Sequence, residues 1–374
     1  MKKSSLVLAI AATGLTTVGN VAAGSLEDRL MAMEKRLQAL EKRIETQDKV
    51  IEAKNKKIDQ LTSQSGTTSG GWFSNVEIGG VVEVEATSVD PDNAGDTSDI
   101  NVATVELGIA AQVNDWTSAE IVLLYENDGG TALDVDTATI SIADPDSIWQ
   151  FKTGLYALPF GNFTTHVVSD PITLDAAETA DTAIEFGIAQ NGLSAAAYVF
   201  KGDQTAQNNI DNFGLAFGYE MENDNFSFSG GLGWINDLSE ANAVIDTPTT
   251  NATNKADAWT AFAQFNMGPF TLLGEYVAAL DSLNVYSTTD EPSFYNLEAA
   301  YRFNAGAIPS VFAIAFQGSD EASNYAGGQD EERFLAALTM EIMEATSLGL
   351  EYKNTETYTG VETDTLTGKL SVEF

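Results

Sequence analysis

The feature that most constrains this chain is a regular alternation of apolar and polar residues that begins near Trp72 and continues to the last residue. Val82 and Val84 share one face of an extended segment, while Glu83 and Glu85 share the other. Because side chains of a strand point alternately to its two faces, a period of two residues indicates β-structure with two chemically different faces. The period recurs in successive segments without a helical pattern between them, which predicts an all-β fold for this region.

Soluble sheets also alternate, so the number of strands and their connections decide the fold class. About sixteen such segments follow one another, with short turns such as Asn114-Asp115 alternating with long polar loops. The predicted long loops are 87–98, 156–181, 201–211, 236–256 and 318–330. Aromatic residues such as Trp149 and Trp259 lie near strand ends, as at membrane interfaces. The chain ends in Phe374, and a terminal aromatic resembles the signal that barrel-assembly machinery reads.

These features predict an all-β transmembrane protein, a roughly sixteen-stranded antiparallel outer-membrane β-barrel over residues 72–374. The barrel has to close, because an open sheet edge in lipid would leave backbone N–H and C=O groups without partners. A β-sandwich or lectin is the alternative, but either would have fewer strands and no asymmetry between short turns and long loops.

The charged residues of the strands fall on the face opposite the large apolar residues. A charge facing lipid costs about 2–4 kcal/mol near the bilayer midplane, so this segregation predicts a water-filled lumen. Eleven acids against five bases predict that cations enter more readily than anions, although any single charge could simply solvate the wall. Lys369 and Glu373 belong to this face. The predicted pore-lining residues are Glu77, Glu83, Glu85, Glu106, Glu120, Glu126, Lys152, Glu185, Glu275, Glu298, Arg302, Arg333, Glu351 and Lys353.

The long loop 156–181 joins the fifth and sixth predicted strands, the position at which general porins fold a loop into the barrel. Its residues Pro159, Phe160 and Gly161 resemble the turn of such constriction loops. If the loop enters the lumen, the residues expected to line the constriction are His166, Asp170, Asp175 and Glu178. His166 is the single histidine of the chain, and a lone histidine is more often an ordinary loop residue than a ligand.

The first part of the chain has a different pattern. Residues 1–23 combine a basic start, an apolar stretch and small residues, which predicts a secretory signal peptide. Residues 24–61 have apolar residues at alternating spacings of four and three, which predicts a left-handed coiled coil followed by a flexible polar linker over 62–71. The predicted seam is Leu26, Leu30, Met33, Leu37, Leu40, Ile44, Ile51, Ile58 and Leu61, with polar Gln47 and Lys54 completing the register.

Two segments of this predicted coil, 29–34 and 36–41, match the arginine–glutamate signature of trimeric coils. We therefore expect a homotrimer held by the coil, although the seam residues alone leave the number of strands open. A helix folded back on its own chain is the alternative, but the face opposite the seam is charged.

Charge and composition exclude several functions. The chain has 18 basic and 55 acidic residues, and residues 62–374 keep only seven basic against 47 acidic residues, so their surface would repel nucleic acid. One histidine and no cysteine argue against Cys/His nucleophiles and histidine-rich metal sites. The acids around Asp90 resemble a calcium loop but lack its register. We expect no enzyme activity, no cofactor and no metal site.

Four segments, in order, resemble the LbtU-type siderophore porin family: NVEIGGVVEVEA at 75–86, ATVELGIAAQVNDWTSAEIVLLYE at 103–126, LPFGNFTTHVVSDPITLDAAET at 158–179 and IDNFGLAFGYE at 210–220. The resemblance implies an outer-membrane barrel that admits ferric siderophores without the usual energised plug mechanism. It carries over no catalytic motif. An anionic siderophore complex would fit poorly with the net negative barrel, so the resemblance favours a neutral or cationic ligand or a charge concentrated on outer loops.

The sequence thus predicts a trimeric passive channel in the outer membrane of a Gram-negative bacterium, with its coil in the periplasm and ferric siderophores as cargo. A general cation-preferring porin is the first alternative. An envelope-tethering or adhesive protein, whose coil grips peptidoglycan while the barrel anchors it, is the second. Outer-membrane lipid, lipopolysaccharide and further copies of the chain are the other expected partners.

Overall fold

The structure is a computed structural model that describes residues 75–127, 133–202, 209–223, 225–246, 255–283 and 290–374. The predicted signal peptide, coiled coil and linker lie outside these residues. Among the residues described, no helix is long and apolar enough to cross a bilayer.

Sixteen strands make up most of the described chain. They are β1 (Val76–Pro91), β2 (Thr97–Gln112), β3 (Thr117–Glu126), β4 (Asp134–Ala143), β5 (Trp149–Ala157), β6 (Ala180–Gln190), β7 (Leu193–Phe200), β8 (Asn212–Asn223), β9 (Phe226–Ile235), β10 (Ala258–Met267), β11 (Phe270–Ala279), β12 (Ser293–Ala305), β13 (Ile308–Asp320), β14 (Asp330–Met343), β15 (Thr346–Thr357) and β16 (Glu362–Glu373). The short helices are α1 (Ile172–Ala177) and α2 (Asn242–Ile245), with 3₁₀ turns at Leu238–Glu240 and Tyr325–Gly327.

Each strand pairs antiparallel with its neighbours in sequence, and β1 pairs with β16 to close the barrel. At this seam Gly80 N–H donates to the Phe374 carbonyl at 2.9 Å, and Phe374 N–H donates to the Gly80 carbonyl at 3.0 Å. A Cβ on Gly80 would lie 2.8 Å from the Phe374 ring and 2.7 Å from the Glu106 carbonyl. Glycine at this position therefore lets the two strands meet beneath the ring. The predicted sixteen-stranded closed barrel is confirmed.

The two faces of the sheet differ as the alternation requires. In β6, Ile184 and Phe186 are 48% and 54% exposed, whereas the intervening Glu185 is 7% exposed and Ala183 only 2%. The exposed apolar side chains make the outer surface, which in an outer-membrane barrel contacts lipid. The inner surface combines polar and charged residues with many alanines.

Aromatic residues form two belts on the outer surface. The belt beside the short turns includes Trp116, Trp149, Phe228, Phe265, Phe270 and Tyr301. The belt beside the long loops includes Phe213, Trp234, Trp259, Tyr276, Tyr295 and Phe316. β10 contributes Trp259 to one belt and Phe265 to the other, so the belts border an apolar band of the kind that faces hydrocarbon.

Two predicted loop boundaries are wrong. Residues 87–98 were expected to be loop, but β1 continues to Pro91 and β2 begins at Thr97. Residues 318–330 likewise keep strand structure at both ends, where β13 reaches Asp320 and β14 begins at Asp330. Polar residues of these extensions, such as Ser88 opposite Ser98, pair through the backbone ladder, which does not depend on side-chain polarity. The change from apolar to polar residues in the sequence marks the edge of the apolar band and not the end of the strand, because strand pairing continues beyond that edge.

An apolar core lies inside the barrel. The loop between β5 and β6 contributes Leu158, Phe160 and Ile172, each at most 5% exposed, and these pack with inward residues of the wall that include Tyr198 and Phe294. A second cluster places Val167 of the same loop against Ala300, Ala313, Ala315, Leu335 and Ala337. Alanines on the inner wall leave room for the loop, and their burial beneath it is a favourable apolar contribution.

Candidate functional site

The candidate site is built around the loop that leaves β5 after Ala157 and returns at Ala180 to begin β6. Leu158 N–H donates to the Thr179 carbonyl at 2.8 Å and closes the base of this loop. Phe160 is fully buried, and its ring lies 3.3 Å from the place where a Cβ on Gly233 would stand. Gly161 has φ +99°, a value that glycine adopts at little cost. The Pro159-Phe160-Gly161 sequence thus turns the chain inward.

Glu275 of β11 forms the first attachment between loop and wall. Its carboxylate accepts hydrogen bonds from Asn162 N–H at 2.7 Å, Phe163 N–H at 3.1 Å and the Thr173 hydroxyl at 3.0 Å. The residue is 4% exposed. A buried carboxylate is costly unless it is hydrogen-bonded, and these donors satisfy it.

Glu298 of β12 forms the second attachment. It accepts hydrogen bonds from His166 N–H at 2.7 Å and from the Thr165 hydroxyl at 2.6 Å. The ring Nδ1 of His166 also lies 2.7 Å from the same carboxylate. Since Glu298 is 5% exposed, this carboxylate also lies beneath the loop.

Glu351 of β15 forms the third attachment. It accepts hydrogen bonds from Val168 N–H at 2.6 Å, from Ser169 N–H at 3.1 Å and from the Ser169 hydroxyl. Three wall carboxylates therefore hold successive parts of one loop, and the strands that carry them lie across the barrel from β5. The segment consequently crosses the lumen.

Helix α1 is held by the next part of the wall. Ile172 N–H donates to Gln317 Oε1 at 3.0 Å, which satisfies one N–H at the helix start where the chain offers no side-chain cap. Arg333 donates from Nη1 to Asp175 at 2.7 Å and from Nε to Asp330 at 2.8 Å. Asp175, an expected constriction residue, is thus paired with a wall arginine.

His166 lies between Glu298 and Arg302. Its Nδ1 is 2.7 Å from Glu298 and its Nε2 is 3.0 Å from Arg302 Nη2. Arg302 is a permanent donor, so Nε2 accepts and Nδ1 carries the proton donated to Glu298. This arrangement assigns the neutral Nδ1–H tautomer. Arg302 also donates to the Thr271 hydroxyl at 2.7 Å, which fixes the guanidinium on the wall.

Asp170 and Glu178 are the remaining expected constriction residues. Asp170 is accessible to the lumen, but surrounding protein removes much of its water and Asp175 adds negative charge, and both effects raise the pKa of Asp170. Burial, followed by the charge of Asp136, raises the pKa of Glu178. Glu178 accepts a hydrogen bond from Asn242 Nδ2 at 3.1 Å, which joins the loop to α2.

The other expected pore-lining residues occupy several environments. Glu83 and Glu85 lie 3.2 and 3.9 Å from Lys369 Nζ. Glu185 is buried and accepts a hydrogen bond from the Tyr156 hydroxyl at 3.2 Å, and the Lys152 ammonium lies 3.8 Å from the centroid of the Tyr156 ring. Glu77, Glu120 and Glu126 are exposed, and Glu106 and Lys353 are partly exposed.

Sequence reasoning missed several residues that hold the loop. Gln317 and Asn242 are uncharged, so the segregation of charged residues on one strand face did not point to them. The alternation of β13 nevertheless predicts that Gln317 faces inward, because it follows the outward Phe316. The hydroxyls of Thr165 and Ser169 carried no comparable signal, because loop residues follow no period.

A closed sixteen-stranded barrel with a long loop docked inside it defines the class of outer-membrane porins. Among solved structures, OprB of Pseudomonas putida aligns with 81% of this chain and 95% of its own at a TM-score of 0.61 and 8% identity. The anion-selective porin of Comamonas acidovorans aligns with 80% and 99% at a TM-score of 0.56 and 14% identity. These likenesses concern the fold alone.

Residues 62–360 match the family described as Gram-negative porin, and the chain belongs to that family. It is therefore a porin-type barrel of the outer membrane. A UPF0422 protein of Coxiella burnetii is 27% identical over 284 residues, which is 70% of this chain and 60% of that protein. A UPF0422 protein of Legionella pneumophila strain Paris is 23% identical over 313 residues, 75% of this chain and 58% of that protein. The chain thus spans about three fifths of these relatives.

Proposed function

We propose that this protein forms a water-filled diffusion channel that prefers cations and whose passage runs along the inner face of β1–β4. The observation that carries this proposal is the asymmetry of the lumen. The docked loop and its apolar core cover much of the wall from β5 to β15, while β1–β4 lie on the other side. These four strands contain no Lys or Arg. The acids that the sequence predicted to line the pore on these strands are Glu77, Glu83, Glu85, Glu106, Glu120 and Glu126.

An acidic wall beside a low-dielectric loop raises the local concentration of cations and lowers that of anions. The loop narrows the passage, so that more of the cross-section lies within about one Debye length, ~8 Å, of the wall charges. The pore-lining role therefore belongs to the acids of β1–β4. Glu275, Glu298 and Glu351 instead position the loop that faces them.

Reversal potential across a planar bilayer in a potassium chloride gradient tests the proposal. We expect the sign that corresponds to cation preference, and we expect Glu83→Gln with Glu106→Gln to reduce the cation-to-anion permeability ratio by roughly two- to threefold. Asp115→Asn, in an exposed turn outside the lumen, serves as the control and should change nothing. An anion preference, or the absence of any channel current, would contradict the proposal.

Ferric siderophores are the cargo that we propose for this channel. Support comes from the resemblance of the segments beginning at 75, 103, 158 and 210 to the LbtU-type family. An acidic passage favours neutral or cationic complexes over anionic ones, because like charges repel most strongly where water is sparse. Cells that lack energised siderophore transport should take up labelled ferric siderophore only when they carry this gene. Equal uptake without the gene would leave a general cation-preferring porin as the function.

A homotrimer is the assembly that we propose, with the predicted coil of residues 24–61 in the periplasm. The outer face of β16 and β1–β4 supports an interface, because its strand residues are mainly aliphatic and Tyr125 is its single aromatic strand residue. Apart from Trp116 in the β2–β3 turn, the aromatic belts run over the remaining strands. Replacing Leu37, Leu40 and Ile44 by Ser should shift the detergent-solubilised protein from trimer to monomer in native mass measurements. A trimer that survives this change would show that the coil does not set the assembly.

A further inference from the structure

A recess of about 300 Å³ opens in the lumen on the side of the loop that faces the short turns. Its roof is the loop segment Thr165–Val168, and its wall is formed by β13–β16 together with Glu83 of β1. The volume is at the lower end of the range of about 300–1,000 Å³ found for small-molecule sites, so it suits one small ring or chain. The loop attachments described above do not fill it.

The recess is built around Gly349. A Cβ at this position would lie 2.9 Å from a Val168 methyl and 3.8 Å from the Thr339 hydroxyl. Ser347 and Ser371 lie directly opposite each other in the β15–β16 register, and both line the recess. Within the described part of the chain, the hydroxyls of Thr339, Ser347 and Ser371 have no hydrogen-bond partner. Three available hydroxyl groups therefore line one small recess.

Charged groups lie at its edges. Lys369 forms an ion pair with Glu83 at 3.2 Å and lies 3.4 Å from the Val168 carbonyl, so both charges are already partnered. Glu373 also lines the recess, and its carboxylate has no partner among the described residues. Val167, Val168 and Val311 add an apolar surface. The recess thus combines hydroxyls, one available carboxylate and a patch of methyl groups.

We propose that this recess is a binding subsite for small polyhydroxylated solutes, such as sugars or sugar alcohols, in transit through the channel. Adjacent hydroxyls of such a solute can donate to the two oxygens of Glu373 and exchange hydrogen bonds with the serine and threonine hydroxyls. Their C–H surfaces can contact the valines at the same time. A simple inorganic ion would use only the carboxylate and would gain nothing from the methyl groups. This proposal rests on the proposed channel function and adds a second solute class to the ferric siderophores proposed above.

Single-channel current in a planar bilayer, recorded with increasing sorbitol, tests the proposal. We expect current reduction that saturates, together with added current noise, whereas polyethylene glycol of equal hydrodynamic size should reduce current without saturation. The combined variant T339V/S347A/S371A removes the hydroxyls but no charge, and it should raise the half-blocking sorbitol concentration about tenfold while leaving conductance and ion preference unchanged.

A matched control comes from a separate part of the wall, four strands away around the ring. Ser118 and Ser141 lie directly opposite each other in the β3–β4 register, and Thr139 is on the same inner face. The variant T139V/S118A/S141A should leave the half-blocking concentration unchanged. Equal loss of block in both variants, or block that never saturates in the native protein, would overturn the proposed subsite. Absence of any channel current would instead overturn the channel function itself.

Glu373→Gln provides an independent arm. Replacing one carboxylate oxygen by an amide removes the bidentate acceptor, so the half-blocking sorbitol concentration should rise roughly threefold. Glu120→Gln, an inward carboxylate on β3 outside the recess, should leave it unchanged. If Glu373→Gln leaves block unaltered, the carboxylate has no part in binding and the proposed chemistry is wrong.

Discussion

Glu298 accepts hydrogen bonds from Thr165 and His166 through both of its carboxylate oxygens, while His166 in turn accepts from Arg302. A carboxylate is required at this position, since every neighbouring group that points at it is a donor. Glutamine would keep a single acceptor oxygen and would place an NH₂ group against one of those donors. The histidine then loses the partner that sets its tautomer. This attachment thus depends on one ionised group.

Glu298→Gln is therefore expected to loosen the loop while the barrel stays closed. The variant loses a hydrogen bond to a charged group and places the glutamine NH₂ against a neighbouring donor. Together these two changes cost about 1.5–3 kcal/mol. The backbone amide of His166, which donates to Glu298, should exchange with deuterium at least tenfold faster, measured by mass spectrometry in detergent. Glu120→Gln, which faces the open lumen, is the control. Unchanged exchange at His166 would show that this carboxylate does not hold the loop.

Asp170 is expected to give the proposed channel a pH response. Burial and the nearby Asp175 raise its pKa, so its negative charge disappears at a higher pH than that of an ordinary aspartate, whose pKa is about 3.9. Acidification should therefore reduce cation preference in the native protein, beginning at a higher pH than the titration of an ordinary aspartate would give. Asp170→Asn should have lower preference at pH 7 and a smaller decrease on acidification. Reversal potentials at several pH values measure this, and parallel pH curves for both proteins would contradict it.

The loop between β5 and β6 behaves as an element with its own core. Phe160, Ile172 and Val167 insert into the wall, and each successive part of the loop is also held by a wall side chain. Apolar burial and hydrogen bonding both stabilise the docked position of this loop. The helix α1 adds a rigid turn at the point where the chain reverses towards β6.

Phe160→Ala should open the passage by weakening this core. Removing a fully buried phenylalanine side chain from a packed site costs about 3–5 kcal/mol. We expect a loss of this size to let the loop undock part of the time. Single-channel recordings should show a larger conductance with frequent transitions between levels. Phe316→Ala, on the outer surface, removes the same side chain away from the loop and should leave conductance unchanged. A stable native conductance in Phe160→Ala would show that other contacts suffice.

Much of this arrangement follows from sequence, and the remainder has identifiable reasons. Alternation such as Ile184, Glu185 and Phe186 predicted strand faces, because the period of a strand is independent of its neighbours. It did not predict that Glu275 and Glu298 would be covered, since the period specifies a face but not what lies above it. The Pro159-Phe160-Gly161 sequence indicated an inward turn. Its contacts depend on distant strands and have no local pattern.

At the scale of the whole molecule, closure depends on the seam between β1 and β16. Backbone pairing runs from Val81 opposite Glu373 to Pro91 opposite Thr363, and the Phe374 ring covers Gly80. The seam is a contact between residues far apart in sequence, so closing it carries a large loop-closure entropy cost, which pairing of the intervening strands reduces. A small residue beneath the aromatic ring allows the last pair of hydrogen bonds to form.

Gly80→Ala should weaken the closed barrel. A methyl group at 80 would meet both the Phe374 ring and the Glu106 carbonyl, and overpacking of this kind costs about 1–3 kcal/mol. The temperature at which the folded barrel loses its faster mobility on a detergent gel should fall by several degrees. Gly95→Ala, where no atom lies within 4 Å of the added methyl group, is the control. Equal transition temperatures in the two variants would contradict a tight seam.

The apolar core inside the barrel divides the circumference into two sectors. Behind the loop, inward residues such as Phe294 and Tyr198 act like the interior of an ordinary globular protein, with lipid on the far side of the same sheet. Along β1–β4, in the channel that we propose, the inner residues contact water and permeating solutes. Substitution of an inner residue behind the loop should change the yield of folded barrel. Substitution of an inner residue on β1–β4 should change solute transport. In the channel that we propose, the residues that stabilise the fold and the residues that contact permeating solutes thus lie on different strands of the barrel.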